Sequence, residues 1–202
     1  MWQNLRTGLP LCLALFLTAC GGGREDVAPQ KSRAPVVEPV ALWAHRPEAR
    51  SWTTTALQAL DSHGSALVAT VPEDIETYCP GYADAGPGAR KAFWVTFLSA
   101  LAKHESTWRP DAAGGGGLWH GLLQIAPATA RGYGCRAQDA SALHDGALNL
   151  SCGIRIMAVT VPRDGVISRG MRGVAADWGP FHQASKRADI QTITREQSVC
   201  RG

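Results

Sequence analysis

The stretch that decides the fold is Arg90–Trp108, which reads RKAFWVTFLSALAKHESTW. Five of its residues recur at intervals of four, three, four and three, namely Trp94, Leu98, Leu101, Glu105 and Trp108. This spacing predicts one face of an α-helix. Because four of the five are apolar, we expect the face to pack against a core or to line a cleft. Pro110 is expected to end the helix, since the residue before a proline is disfavoured in the helical conformation.

Glu105 is the one charged residue on this face. A carboxyl on an apolar surface loses part of its hydration, which disfavours the ionised form and raises its pKa. A carboxyl that stays protonated near neutral pH suits a general acid. The alternative is a glutamate near a helix end whose side chain lies in water, which is common for this residue type.

Two motifs that would indicate other chemistry are incomplete. His104 and Glu105 begin like the zinc motif His-Glu-x-x-His, but Trp108 stands where the second histidine is required. The glycines of 114–117 are not followed by Gly-Lys-Ser or Gly-Lys-Thr, so we interpret them as a flexible surface loop and not as a phosphate site. We therefore expect neither a metal nor a cofactor.

Residues 1–19 have the pattern of an export signal. Arg6 precedes the apolar run Leu9–Leu17, which is shorter than the about 20 residues that span a bilayer. The next residues, LTAC at 17–20, resemble a bacterial lipobox, which implies cleavage before Cys20 and its acylation. Gly21 in place of Asp favours the outer membrane of a Gram-negative envelope, facing the periplasm. An ordinary secretory signal with a cysteine beside its cleavage site is the alternative.

The rest of the chain divides into a tether and one globular domain. Residues 20–42 are rich in Gly, Pro, Ala, Val and charge without a sustained period, which predicts a flexible tether. Residues 43–202 suit one folded domain, with a first helix capped by Ser51 or Thr53. The formal charge of +3 is weak and there is no Lys/Arg stripe, so no nucleic-acid partner is predicted. A slightly basic chain is compatible with an anionic polymer such as cell-wall glycan.

The cysteines predict disulfides. Of six, Cys12 lies in the signal and Cys20 is assigned to lipid. Those that remain are Cys79, Cys135, Cys152 and Cys200. An even number in an exported chain favours disulfides, and of three possible pairings we prefer Cys135–Cys152 and Cys79–Cys200. The alternative is a cysteine nucleophile with His144 or His182 as its base.

Three motifs occur in order along the chain: ESTWRP at 105–110, GLLQIAPATA at 121–130 and NLSCG at 149–153. Together they resemble the catalytic domain of soluble lytic transglycosylases, glycoside hydrolase family 23, over roughly residues 93–181. The resemblance implies the lysozyme-like fold of goose-type lysozyme: mainly α, with orthogonal helices and at most a small β-hairpin. It also implies a substrate, the glycan strands of peptidoglycan, and a reaction. The reaction cleaves the β-1,4 bond between N-acetylmuramic acid and N-acetylglucosamine and leaves 1,6-anhydro ends.

The resemblance assigns roles residue by residue. Glu105 is implied as the single catalytic residue and Gln124 as its neighbour in the substrate cleft, while Ser106 is expected to supply a supporting hydrogen bond. Trp119 is expected in the cleft, and Trp108 in the core. The remaining matched positions are assigned to packing: Leu122, Leu123, Asn149 and Gly153.

The sequence departs from the family pattern in two respects. In the loop after the acid, members usually have a serine followed by Gly-Ala, where this chain has the glycine-rich residues 113–117. The second departure is a missing tyrosine. Family members usually have Ala-Tyr-Asn-x-Gly, with a tyrosine facing the acid, where this chain has AADWG at 175–179. Either Asp177 or Trp178 takes the tyrosine's place. If Asp177 faces Glu105, a hydrolytic muramidase becomes an alternative, and Trp178 is otherwise a sugar-stacking platform or a buried packing residue. A further alternative is a non-catalytic peptidoglycan-binding lipoprotein.

Overall fold

The computed structural model describes residues 37–201. The predicted signal, Cys20 and most of the predicted tether lie outside these residues. Seven α-helices and one two-stranded sheet are described. The helices are α1 (Ala49–Asp61), α2 (Ser65–Ala69), α3 (Pro87–Ser106), α4 (Pro127–Gly132), α5 (Ala140–Leu143), α6 (Gly146–Asp164) and α7 (Ala184–Arg195), and the strands are β1 (Ala113–Gly114) and β2 (Trp119–His120).

Short 3₁₀ helices connect these elements. They are Leu42–His45, Ile75–Thr77, Pro80–Tyr82, Arg169–Met171, Gly173–Ala176, Gly179–His182 and Ser198–Cys200. The expectation of a mainly α domain with a small hairpin is confirmed. None of the helices in the described residues has the length and apolarity needed to cross a membrane.

The central helix α3 is packed by α1, α2 and α7. Trp94, Leu98 and Leu101 are fully buried, as the four-and-three spacing predicts. The indole Nε1 of Trp94 donates to the Tyr82 hydroxyl at 2.9 Å, and Trp94 also contacts Phe97 edge-to-face at 5.1 Å between ring centroids. The apolar half of α3 is therefore an aromatic core and not a cleft wall.

The prediction that Pro110 ends α3 is wrong, because the helix ends at Ser106. Thr107 and Trp108 both adopt left-handed backbone conformations, and the Thr107 N–H donates to the carbonyls of the last turn. Trp108 therefore lies off the helix, where it packs against the core and its Nε1 donates to the Ser99 carbonyl at 2.8 Å.

Helix α1 also begins elsewhere than predicted, at Ala49, with Glu48 as its N-cap. The Thr53 hydroxyl does not cap it but accepts a hydrogen bond from Trp43 Nε1 at 3.0 Å.

Helix α6 is capped by a side chain at its start. The carboxylate of its N-cap residue, Asp145, accepts a hydrogen bond from the Leu148 N–H.

The glycine-rich segment forms the turn of the hairpin. Ala113 pairs with His120 and Gly114 with Trp119 in an antiparallel ladder, and residues 115–118 connect the strands. Gly115, Gly116 and Gly117 all have positive φ, which explains why the turn is made of glycine. The segment is an exposed hairpin turn and not an unstructured loop.

The two preferred disulfides are both present: Cys79–Cys200 joins residues 121 apart in the chain, and Cys135–Cys152 closes a local unit. The alternative of a cysteine nucleophile served by His144 or His182 is wrong, because none of the four thiols is free. The His144 ring contacts His120, and His182 contacts the Ala175 carbonyl.

Candidate active site

A groove beside the end of α3 brings most of the predicted site residues together. It consists of two adjoining cavities of about 240 and 60 Å³. Four residues line both of them: Trp119, Gln124, Asp177 and Trp178. Glu105 lines the larger one. Two cavities elsewhere, of about 270 and 310 Å³, are larger but do not include Glu105, so size alone would not have located the site.

Glu105 lies in the last turn of α3 with its side chain half-buried. Burial raises the pKa of its carboxyl from 4.5 to about 7, and the charge of Lys186 opposes the rise. No side chain or backbone group of residues 37–201 hydrogen bonds to this carboxyl. An acid that is unpaired within the described residues, and about half protonated at pH 7, is therefore available to a ligand in the groove.

A tight turn after β2 places the next site residue. His120 and Ile125 exchange two backbone hydrogen bonds of 3.0 Å, which closes the chain around residues 121–124. Gly121 has a φ of +80°, and a Cβ built on it would lie 2.1 Å from the Leu143 carbonyl oxygen. The glycine of this motif is thus required both by conformation and by close packing.

Asn149 holds this turn from α6. Its side-chain Nδ2 donates to the carbonyls of His120 and Leu143, and its Oδ1 accepts from the Leu123 N–H at 2.9 Å. The residue is fully buried and does not line the groove. Its predicted role in packing agrees with this position.

Gln124 has a φ of +49°, which is uncommon for a residue other than glycine. Its Nε2 donates to the carbonyls of Ala112 at 3.1 Å and Gly121 at 2.9 Å. Its Oε1 lies against Gly114, where a Cβ would approach it to 2.4 Å. Since no donor within residues 37–201 reaches this oxygen, it is a fixed acceptor in the groove wall.

Ser106 lies beneath the groove and does not line it. Its hydroxyl is buried, within hydrogen-bonding distance of the Ala102 carbonyl at 3.2 Å and of the Leu122 carbonyl at 2.9 Å. The contact to Leu122 joins the end of α3 to the turn that carries Gln124. Ser106 therefore connects the two groove elements.

Trp119 and Trp178 line the groove in different ways. Trp119 is 47% exposed, and its ring lies on Gly115, where a Cβ would come within 2.2 Å. Trp178 is only 3% exposed, and its Nε1 donates to the Leu123 carbonyl at 2.9 Å. Trp119 is thus an accessible aromatic face on the hairpin, whereas Trp178 is a buried wall residue.

Asp177 and Trp178, the two candidates for the missing tyrosine's place, both border the groove beside Glu105. Asp177 is exposed as a residue, but partial burial of its carboxyl raises the pKa of that group, while Arg163 opposes this rise and Asp164 adds to it. The charges that act on Asp177 therefore differ from the one that acts on Glu105.

Lys186 on α7 is the residue that the sequence motifs do not indicate. It lies outside all three motifs, and only the packing of α7 against α3 brings its charge close to Glu105. Gly179 and Ile156 also line the groove without having been predicted. No group of three or more His, Cys, Asp or Glu side chains in the described part of the chain is placed to hold a metal ion.

Comparison with known proteins agrees with this geometry. A family model described as the transglycosylase SLT domain matches residues 86–165. The solved structure of wild-type Bd0314 DslA is 30% identical, with a TM-score of 0.73, over 81% of this chain and 99% of that chain. Two variants of DslA, each with a glutamate changed to glutamine, match with the same TM-score and coverage, at 30% and 29% identity. No curated protein sequence matches the chain.

The family match begins one residue before α3 and ends at Gly165, the C-cap of α6. It therefore includes Glu105, the hairpin and the turn that carries Gln124. The structural match extends over 81% of this chain. The chain therefore belongs to the SLT transglycosylase family, whose members have a lysozyme-like fold and act on peptidoglycan.

Proposed function

We propose that the protein is a peptidoglycan lytic transglycosylase in which Glu105 is the single catalytic residue. In this proposal it cleaves the β-1,4 bond between N-acetylmuramic acid and N-acetylglucosamine and leaves a 1,6-anhydro end. The observation that carries the proposal is a half-buried carboxyl, unpaired within the described residues, whose pKa is raised to about 7 and which lines a groove. Such a group is about half protonated at pH 7, and the protonated half can donate its proton.

In the first step the Glu105 carboxyl protonates the glycosidic oxygen, and the bond from that oxygen to the muramic acid C1 breaks. Positive charge develops at C1, where the substrate's own N-acetyl group stabilises it. The N-acetylglucosamine portion leaves with the proton from Glu105.

In the second step the same residue, now ionised, accepts the proton of the muramic acid 6-hydroxyl. The 6-oxygen bonds to C1 and closes the 1,6-anhydro ring, so Glu105 regains its proton and no water is consumed. Because the nucleophile is part of the substrate, its effective concentration at C1 is high. One carboxyl is therefore enough for both steps.

The other groove residues have binding roles in this proposal. The fixed Oε1 of Gln124 accepts a hydrogen bond from an acetamido N–H or a hydroxyl of the sugar. The exposed ring of Trp119 provides an apolar face for a sugar ring, while the buried Trp178 gives the groove wall its shape.

A hydrolytic muramidase is the second candidate, and it is favoured by one observation. Asp177, an exposed residue with a second carboxyl, lines the same groove as Glu105. Hydrolysis with a general base would need a second carboxylate that activates a water molecule. Ring closure needs neither the second carboxylate nor the water. The two candidates therefore differ in their dependence on Asp177 and in the mass of their products.

Digestion of purified sacculi followed by mass analysis of the fragments tests both candidates. We expect wild-type protein to release fragments one water lighter than hydrolysed ends. We expect Glu105→Gln to lose at least about 10³-fold in turnover while still binding sacculi, because the amide keeps the shape but cannot transfer the proton. Asp177→Asn is the matched control and should keep the anhydro product and most of the rate.

Several outcomes would overturn the proposal. Full activity of Glu105→Gln would remove Glu105 from the mechanism. Hydrolysed ends, together with a rate that collapses in Asp177→Asn, would establish the muramidase instead. Wild-type protein that binds sacculi and releases nothing would be a non-catalytic peptidoglycan-binding protein.

We also propose that the enzyme works at the outer membrane, facing the periplasm, through an acylated Cys20. The support is the lipobox pattern at 17–20, which lies outside the described residues. Cys20→Ala should move the protein from the membrane fraction to the soluble periplasmic fraction. Unchanged fractionation of this variant would contradict the anchor.

A further inference from the structure

A second polar cavity, of about 230 Å³, lies between α1 and α6 and shares no lining residue with the groove. Helix α1 contributes Thr55 and Gln58, helix α6 contributes Arg155, and the segment after α4 contributes Arg136. No acidic residue of the described chain lines it. The cavity therefore carries two positive charges with no neutralising partner.

Neither arginine has a hydrogen-bond or ion-pair partner within residues 37–201, and Arg136 is an exposed residue. Among the arginines of residues 37–201, only four make neither a side-chain hydrogen bond nor an ion pair: Arg50, Arg136, Arg155 and Arg172. Two of these four line the same cavity. Thr55 and Gln58 likewise make no side-chain hydrogen bond within residues 37–201, so the polar wall of the cavity has open donors.

The Cys135–Cys152 disulfide fixes the relative placement of the two guanidinium groups. Arg136 follows Cys135 directly, and Arg155 lies one helical turn after Cys152 on α6. The Cα atoms of the two cysteines are 5.2 Å apart. The segment that bears Arg136 is thus held against α6. Less conformational entropy is therefore lost when a ligand binds.

Further contacts stabilise the cavity wall. The His63 ring nitrogen Nε2 donates to the Ser151 carbonyl at 3.0 Å, which joins the end of α1 to α6. The Ser62 hydroxyl donates to the Gln58 carbonyl at 2.8 Å and is therefore occupied. The groups left to bind a ligand are the two guanidiniums, the Thr55 hydroxyl and the Gln58 amide, which suit an oxyanion.

We propose that this cavity binds a carboxylate of the peptide stems of peptidoglycan. The choice of peptide stems rests on the proposed function, since these are the carboxylate-bearing part of that substrate. Helix α6 connects the two sites, because Arg155 lines the cavity and the next residue, Ile156, lines the glycan groove about 100° further around the helix. A stem bound at the cavity would increase the time that the protein stays on a strand bearing stems.

Sedimentation with sacculi tests this in the full chain carrying Glu105→Gln, so that the ligand is not degraded. Two ligands are compared: intact sacculi and glycan strands from which an amidase has removed the stems. In this background, Arg136→Gln and Arg155→Gln should each weaken binding to intact sacculi by about fivefold. Neither should change binding to stem-free strands.

Arg50→Gln is the matched control, because it removes the same charge from an exposed position of α1 outside the cavity. It should leave both affinities unchanged. Equal losses for Arg50→Gln and the two cavity variants would show a general charge effect and overturn the proposal. Equal losses on intact and stem-free strands would overturn it as well.

Competition with inorganic phosphate at constant ionic strength separates the source of the anion. Chemical modification with an arginine-specific reagent reports whether the cavity arginines are occupied. If phosphate protects them from the reagent but removal of the stems has no effect on binding, the cavity binds an oxyanion other than the peptide stem. Failure of the proposed function would give a different result from failure of the cavity proposal. In that case the Glu105→Gln protein would either not bind stem-free strands or would still cleave them.

Discussion

The middle of helix α3 and its last turn differ in how their side chains are packed and hydrogen bonded. From Ala92 to Ala102 every residue is buried, and the aromatic side chains contact one another. In the last turn, Glu105 is half-buried without a hydrogen-bond partner in the described residues. The first region maximises packing, whereas the second keeps a group that destabilises the folded state when it ionises. The difference shows that burial of Glu105 costs stability when its carboxyl ionises, and this supports the role in proton transfer that we propose for it.

Truncation of the aromatic core should give the largest effect on stability. Trp94→Ala removes a fully buried ring and its hydrogen bond to Tyr82, and we expect the free energy of unfolding to fall by about 3–5 kcal/mol. Denaturant titration measures this. Trp94→Phe, which keeps part of the volume, should cost less, and a loss below about 1 kcal/mol in Trp94→Ala would contradict the description of this region as core.

A substitution in the last turn of α3 should change the free energy of unfolding in the opposite direction. The carboxyl of Glu105 has a pKa of about 7 in the folded state and near 4.5 when unfolded, so the folded state binds more protons between these values. The free energy of unfolding therefore falls as the pH rises from 4.5 through 7. Glu105→Gln removes this loss and should be more stable than wild type at pH 8 by about 1–3 kcal/mol.

Denaturant titrations of both proteins at pH 4 and pH 8 measure the effect. The two should be nearly equal at pH 4, where the wild-type carboxyl is protonated in both states. A Glu105→Gln protein that is less stable than wild type at pH 8 would show that the ionised carboxyl is stabilised in the fold. The same pKa predicts that wild-type activity falls as the pH rises above about 7.

The groove wall should show the smallest effect on stability. Trp119→Ala removes an exposed ring, so the free energy of unfolding should change by less than about 0.5 kcal/mol. The KM for glycan should rise about fivefold if the ring contacts sugar. Trp119→Phe is the control that keeps an aromatic face, and equal KM values for Trp119→Ala and wild type would remove the ring from the binding site.

The sequence was sufficient to predict a feature wherever that feature depends on residues close together in the chain. The four-and-three spacing identified the buried face of α3, since helical periodicity depends on the sequence of one segment. The disulfides were correctly paired because one closes a short local unit and the other joins the tail to the body.

The sequence was insufficient where non-local packing decides. The end of α3 was misplaced because two left-handed residues, and not Pro110, end it. Thr53 was misread as a helix cap because its partner, Trp43, lies on another element. Lys186 was missed because its position beside Glu105 depends on how α7 packs against α3.

The sequence by itself determined the helical class, the core face of α3, the position of the candidate acid and the family motifs. Only the tertiary structure decided that Asp177 is exposed while Trp178 is buried, and that two unpaired arginines share a second cavity. The physical reason is range. Periodicity and turn geometry act within a few residues, whereas desolvation and charge act between atoms that the chain brings together from distant positions.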